Sequence, residues 1–343
     1  MTLATQVEKL KRRFQLDHVV LVGDRGMITQ TRITEDIKSA GLDWISSLRA
    51  PAIKTLVESG ALQLSLFDQR DMASITAPEF PDERLVVCRN PDLAAERTRK
   101  REELLAATER DLLRIQAAVA RKRDPLRGTA AIALAVGKVI NKHKMAKHFE
   151  LDITDATFSF ARKTTEIAAE AATDGVYVIR TSLAAETFND AETVRSYKSL
   201  ALVERAFRCI KTVDLHVRPV YHRLADRVRA HVFLCMLAYY LEWHMRQRLA
   251  PMLFDDTDKA AAEAMRSSVV ATARRSPAAV AKQITGLTYD GLPVHSFHSL
   301  LADLATLARN TVITAITPNY PLTVLTRPTP IQHKAFDLLG ITP

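Results

Sequence analysis

One helix-length segment constrains this chain more than any other: Tyr197-Lys-Ser-Leu-Ala-Leu-Val-Glu204-Arg-Ala-Phe-Arg208-Cys-Ile-Lys211. Tyr197, Glu204 and Lys211 are seven residues apart. Seven steps of a helix with about 3.6 residues per turn return to nearly the same face. A phenol, a carboxylate and an ammonium therefore form one stripe. Leu200, Leu202, Val203, Phe207 and Ile210 supply an apolar face that can dock on a sheet. A strand for such a sheet lies far upstream. His18-Val-Val-Leu-Val-Gly23 is a compact apolar run, the pattern of a buried, central strand. Asp24 follows at its carboxyl end, where open α/β sheets present their ligand groups. Asp17 opens the same strand and so sits at the wrong end to join Asp24.

The remaining pattern alternates strands and helices, which sets the class as α/β. Residues 5–15 read as a basic helix, 31–40 as a helix ended by Gly41, and 43–49 as a strand. Residues 62–67, 73–76 and 84–89 read as short strands joined by Asp- and Pro-rich turns. Residues 91–123 form a long, highly charged helix, either solvated or a dimerisation element, and 129–147 a second helix with a Lys-rich end. Residues 149–153 and 157–161 alternate as a hairpin would. A strand over 175–180 precedes a continuous helix over 191–210, and a long amphipathic helix covers 224–247. Beyond Pro251 the pattern is mixed, with a helix near 297–309 and a Pro/Thr-rich stretch at 317–330.

Charge narrows the partner. The formal net charge is +9, and nine Lys/Arg stand against three Asp/Glu between Arg195 and Arg229. That face suits an anionic partner such as nucleic acid. Cys88, Cys209 and Cys235 are far apart in apolar runs, which reads as buried thiols in a reducing compartment. The longest apolar run, 232–241, is too short to span a bilayer. No membrane association and a cytoplasmic, nucleoid-associated location follow as expectations. His222, His231 and His244 lack metal-binding spacing and read as structural or phosphate-facing. Trp44 and Trp243 read as core. The Lys138–Lys147 cluster could track a DNA backbone or be a solvated helix end.

Asp24 and Glu204 could converge on a divalent metal, which would activate a hydroxyl for phosphodiester displacement. From spacing alone, the favoured reading is that Asp24 caps the following turn and Glu204 is a solvated helix residue.

A resemblance bears on that choice. Val22-Gly-Asp24-Arg-Gly-Met27 resembles the second-aspartate motif of DDE transposases of bacterial insertion sequences. The segment from Tyr197 to Lys211 resembles their Tyr-x2-Arg-x3-Glu-x6-Lys signature, and the flanks Asp174-Gly-Val-Tyr-Val-Ile-Arg-Thr181 and Val217-Arg-Pro-Val-Tyr-His222 are similar too. The likeness runs over roughly residues 15–250. It implies a partial RNase H-like fold interrupted by a mixed β-rich and helical insertion domain, with a helical C-terminal region. The implied boundaries are 1–45 for the first part of the core, 46–174 for the insertion, 175–250 for the second part and 251–343 for the C-terminal region. It implies Asp24 and Glu204 as catalytic ligands of Mg²⁺ or Mn²⁺. Tyr197 and Lys211 would contact DNA phosphates, with Arg25 beside Asp24. Leu200 occupies the signature arginine position, so Arg208 or Lys198 would take over that contact.

The family's first aspartate should precede Asp24, and only 23 residues do. Asp152 and Asp155 lie in the wrong chain order and read as hairpin or turn residues. The expectation is therefore an N-terminally truncated transposase, weak or inactive alone. Its partners would be transposon-end and target DNA, a second copy on DNA and an upstream N-terminal fragment. The competing reading is a non-catalytic DNA-binding relic or an inhibitor of the full-length enzyme.

Overall fold

The computed structural model describes residues 3–14, 16, 18–213, 215–312 and 322–342. Asp17, like much of the Pro/Thr-rich stretch, lies outside the described residues. The chain divides into two compact units, the first Met1–Leu200 with Ser268–Thr272, the second Ala201–Ser267 with Ala273–Pro343.

The first unit is built on a mixed sheet. Its elements run α1 (Leu3–Phe14), β1 (Val20–Val22), α2 (Gln30–Arg32, passing into a π-helical turn Ile33–Lys38), β2 (Asp43–Ser47), α3 (Ala50–Glu58), β3 (Met72–Ile75) and β4 (Arg84–Arg89). There follow α4 (Pro91–Val119), α5 (Thr129–His143), β5 (Phe149–Ile153), β6 (Phe158–Arg162), α6 (Thr164–Ala171), β7 (Val176–Thr181) and α7 (Asp190–Lys198). The sheet order is β1-β2-β7-β4-β3. β1 pairs parallel with β2, and the other pairs are antiparallel.

The alternation of the central strands explains both faces. Leu85, Val87, Val176 and Val178 join Leu48, Ile53 and Leu56 in one core cluster, which brings α3 onto that face. Val86, Cys88 and Ile179 point to the other face, where Val194 of α7 covers them. Pro51 lies in the first turn of α3, where its missing N–H leaves no bond unmade. The segment from α4 to α6 has a core of its own around Leu105, Leu112, Ile132, Val136, Phe149 and Phe158. Here α4 packs on α5, so its apolar positions are used within the chain. Because β4 runs in the same direction as β1, α4 starts from the sheet end that carries Asp24.

Several expectations are corrected. β1 is an edge strand rather than a central one. Its residues pair with β2 on one side only among the described residues, and Val20 is 39% exposed. An apolar run reports burial of faces, not the presence of a second neighbour. Residues 64–67 form a 3₁₀ turn instead of a strand. Leu62 and Phe67 are both anchored in the α3 face, which a short alternating run does not reveal. β3 and β4 fall within 46–174 but belong to the same sheet as β1 and β2, so the sheet does not divide at residue 45. The helix expected over 191–210 breaks at Ser199. The Ser199 hydroxyl donates back to the Ser196 carbonyl.

In the second unit, α8 (Leu200–Arg208) passes into a π-helical turn, Cys209–Val213, followed by α9 (Ala225–Leu249). Then come α10 (Lys259–Ala264), α11 (Pro277–Thr285), α12 (Phe297–Leu304), a β8–β9 hairpin (Arg309–Val312 with Leu322–Leu325) and α13 (Pro330–Leu339). Leu249, Met252, Leu253, Phe297, Leu300, Ala335 and Leu339 form its core. The buried Lys282 ammonium donates to the carbonyls of Ala250, Leu253 and Asp255 and so braces the turn that follows α9. Desolvation holds that ammonium below its usual range. The apolar stripe of α9 is not covered: Phe233, Leu234, Met236, Tyr240 and Leu241 are exposed. Trp44 is buried as expected, whereas Trp243 is half-exposed, beside Met236, Tyr239 and Tyr240 in an open groove of about 370 Å³.

The thiols also separate. Cys88 and Cys209 are buried, but Cys235 is only partly so. Burial pushes the Cys88 thiol up to about 12. Since the thiolate is the nucleophile, folded protein at pH 8 should be alkylated at Cys235 well before Cys88. Mass spectrometry after timed iodoacetamide treatment would show it; equal labelling would contradict this packing.

Candidate functional site

Asp24 is set by the loop that β1 feeds. Its carbonyl accepts from the Met27 and Ile28 N–H groups. Its Oδ1 accepts from the Gly26 N–H at 3.0 Å and the Met27 N–H at 2.7 Å. This turn closes back over Gly23. A Cβ there would lie 2.9 Å from Ile28 Cγ1 and 2.6 Å from Met27 Cε, so the glycine before Asp24 serves close approach. Arg32 donates to the Met27 carbonyl at 3.0 Å and ties the loop to α2. Asp24 is exposed, and among the described residues Oδ2 has no partner. One carboxylate oxygen is thus held by its own loop on an exposed residue. Arg25 beside it is exposed.

Tyr197 belongs to the same unit. Its hydroxyl lies 2.7 Å from Ser47 Oγ, at the end of β2, and its ring packs against the core that α7 covers. The approach to α7 is clamped by Arg84 of β4. That guanidinium donates to the Leu183 and Phe188 carbonyls, to Thr193 Oγ1 and to the Asp190 carboxylate. Nothing in the spacing of the chain singles out Arg84; only the pairing of β4 with β7 brings it here. A second buried guanidinium, Arg180, is held by Glu83 and by Gln30 at 2.7 Å. Lys198 points inward, donating to the Val269 carbonyl at 2.6 Å and the Val270 carbonyl at 2.9 Å.

The second unit carries Glu204, Arg208 and Lys211. Glu204 is exposed on α8. Leu202, Val203 and Phe207, expected to dock on a sheet, are each at least half exposed. The Lys211 ammonium lies 5.8 Å from the Phe207 ring centre. Tyr197 lies on α7 and Glu204 on α8, with Ser199 between the two helices. The sequence did not mark Glu242, a buried carboxylate of α9 that accepts from Arg246 at 2.7 Å and from the Cys209 thiol at 3.4 Å.

The other candidate groups resolve individually. Asp155 sits in the β5–β6 turn, where Oδ1 accepts from the Thr129 N–H and hydroxyl, and Asp152 is on β5, so both are hairpin residues. His231 is engaged with the Val217 carbonyl at 3.1 Å, and His244 with the Tyr240 and Trp243 rings. Lys142 and Lys147 pair with Asp111 and Glu170, which removes two charges from the 138–147 cluster. Carboxylate oxygens such as those of Asp24 and Glu204 are the right donors for Mg²⁺ or Mn²⁺. Among the described residues no group of three or more acidic, His or Cys side chains is placed to hold a metal. The donor chemistry of the two carboxylates fits such a cation. No described helix is long and apolar enough to cross a membrane.

A family model described as "Transposase DDE domain" matches residues 2–241. The searches of curated proteins and of solved structures found no match. The matched range takes in both the Asp24 loop and the Glu204 helix, and the chain belongs to the DDE-domain transposase family.

Proposed function

We propose that this chain supplies two of the three carboxylates of a DNA strand-transfer site, Asp24 and Glu204, on an RNase H-like framework. The observation that carries the reading is the setting of Asp24. It is exposed at the carboxyl end of β1, with Oδ1 held by its own loop, beside an open sheet edge. In a parallel ladder alternate residues face the partner strand. Val19 and Gly23 bond to β2, so the N–H and C=O groups of Val20 and Val22 face away from it. Neighbouring strands lie about 4.8 Å apart. A strand added at that edge could therefore hold a carboxylate within reach of one shared cation with Asp24. Metal ions bound by this set would supply activation of the attacking hydroxyl and charge neutralisation at the leaving oxygen.

The chain's own residues have separable roles in this reading. Tyr197, anchored by Ser47, and Lys211 hold phosphates of the element end. Arg208 or Lys198 takes over the contact of the signature arginine, Lys198 also donating to the Val269 and Val270 carbonyls. Arg25 contacts the backbone next to Asp24. The incomplete carboxylate set also favours the second reading, a DNA-binding protein without catalysis.

One experiment separates them. The purified chain is mixed with a polypeptide that carries an aspartate-bearing strand, a plasmid bearing the DNA that flanks the gene, and Mg²⁺ or Mn²⁺. Nicking and strand transfer are expected from the mixture with metal and not from the chain alone. Strong metal-dependent strand transfer by the chain alone would overturn the incomplete set. DNA retention with no cleavage in any mixture would establish the non-catalytic reading.

A further inference from the structure

Most charges on the α4–α5 hairpin are paired. Arg99 meets Glu103, Lys100 meets Glu96, Arg162 meets Glu102 and Glu109, and the buried Arg101 meets Asp174. The loop joining the two helices differs. Arg121, Lys122 and Arg123 are consecutive, exposed and without an ion pair or hydrogen bond among the described residues. Three adjacent cations repel one another, and nothing nearby neutralises them except the neighbouring Asp124.

The loop is nevertheless built. Arg127 donates to the Val119 and Ala156 carbonyls, both at 2.8 Å, joining the end of α4 to the β5–β6 turn. The Leu126 N–H bonds the Ala118 carbonyl, and the Gly128 N–H bonds the Asp155 carbonyl. Asp124 adopts a left-handed φ of 51° and turns the chain between these anchors. The three cations are thus presented outward by a fixed scaffold, at the far end of a 29-residue helix. At about 1.5 Å per residue the loop lies roughly 43 Å along α4 from its start. That exceeds one turn of a DNA duplex, about 34 Å.

We infer that Arg121, Lys122 and Arg123 form a second, sequence-independent contact to the backbone of duplex DNA, separate from the residues around Asp24 and Glu204. The inference rests on the reading of the chain as a DNA-processing protein. Three adjacent cations on a held loop suit the uniform negative charge of the phosphate backbone, which most protein–DNA hydrogen bonds address. A contact that far along α4 would grip DNA at a distance from the site of cleavage and add to retention without touching the chemistry.

The test is fluorescence anisotropy with a random-sequence duplex of about 40 base pairs, titrated at several salt concentrations. The variants are R121A/K122A/R123A and the charge-preserving R121K/R123K. Thermal melting checks that each is folded. The alanine variant is expected to bind about tenfold more weakly near physiological salt and to show a log–log salt slope smaller by about 2 to 3. R121K/R123K should match the parent in both. If the parent binds DNA and the alanine variant has the same affinity and slope, the inference is overturned while the proposed function stands. If the parent binds no duplex at any salt concentration, the proposed function fails with it.

Discussion

Asparagine or alanine at Asp24, and alanine at Glu204, should abolish strand cleavage by the complemented protein. A metal bound by carboxylates contributes several kcal/mol of transition-state stabilisation, and about 4 kcal/mol corresponds to about a thousandfold in rate. The three variants are not equivalent structurally, and the difference is useful. Asp24→Ala removes the acceptor for two N–H groups of the loop, worth about 1 kcal/mol each. Asp24→Asn retains a carbonyl oxygen for those bonds and removes only the charge. If the charge is what matters, the asparagine variant is as inactive as the alanine variant while melting at the parent temperature. Glu204 is exposed, so its removal should leave stability within about 0.5 kcal/mol. All three should retain DNA about as well as the parent. Cleavage assays beside anisotropy would decide; appreciable cleavage by the Glu204→Ala variant would remove it from the catalytic set.

The second large effect concerns a segment outside the range matched by the family model. Residues 268–272 belong to the first unit although the chain on either side of them belongs to the second. Val270 is fully buried, and with Val269 it packs on Ile45, Val86, Ile179 and Val194. Polar bonds hold this strap in place. Its carbonyls accept from Lys198 and from Asn90, Ser268 meets Asp71, and Thr272 donates to Asp92 at 2.6 Å. Val270→Asp places a carboxylate in that core and should cost about 4 kcal/mol or more, a large part of a typical domain's stability. Val270→Ala should cost about 2 kcal/mol. Ile284→Asp is the control, because Ile284 is 79% exposed. The buried Trp44 reports on the first unit once Trp243 is replaced by Phe. A urea midpoint unchanged by Val270→Asp would show that the strap is dispensable.

The same comparison shows what a linear reading can reach. The strands β2, β4 and β7, the helices α4 and α5 and the β5–β6 hairpin were legible, because each carries its own periodicity and turn residues. The Asp24 loop was legible as a position, because it follows the carboxyl end of a compact apolar run. Ser199 was not legible as a helix end because it keeps helical dihedrals and has neither the glycine nor the proline that marks one. The strap escaped because five residues have no period, and their burial depends on a sheet formed by residues more than 70 positions upstream.

Local pattern by itself determined the α/β class, the place of Asp24 at a strand end and the helical seat of Glu204. Those features depend on propensity and spacing within a few turns of chain. Only the tertiary structure decided that β1 is an edge, that Lys198 is committed inward and that Arg84 clamps α7. It also decided that Val269 and Val270 complete a core begun by β2, β4 and β7. Each of these depends on which distant segment becomes a neighbour, and that is set by the burial of whole faces at once and not by any one stretch of sequence.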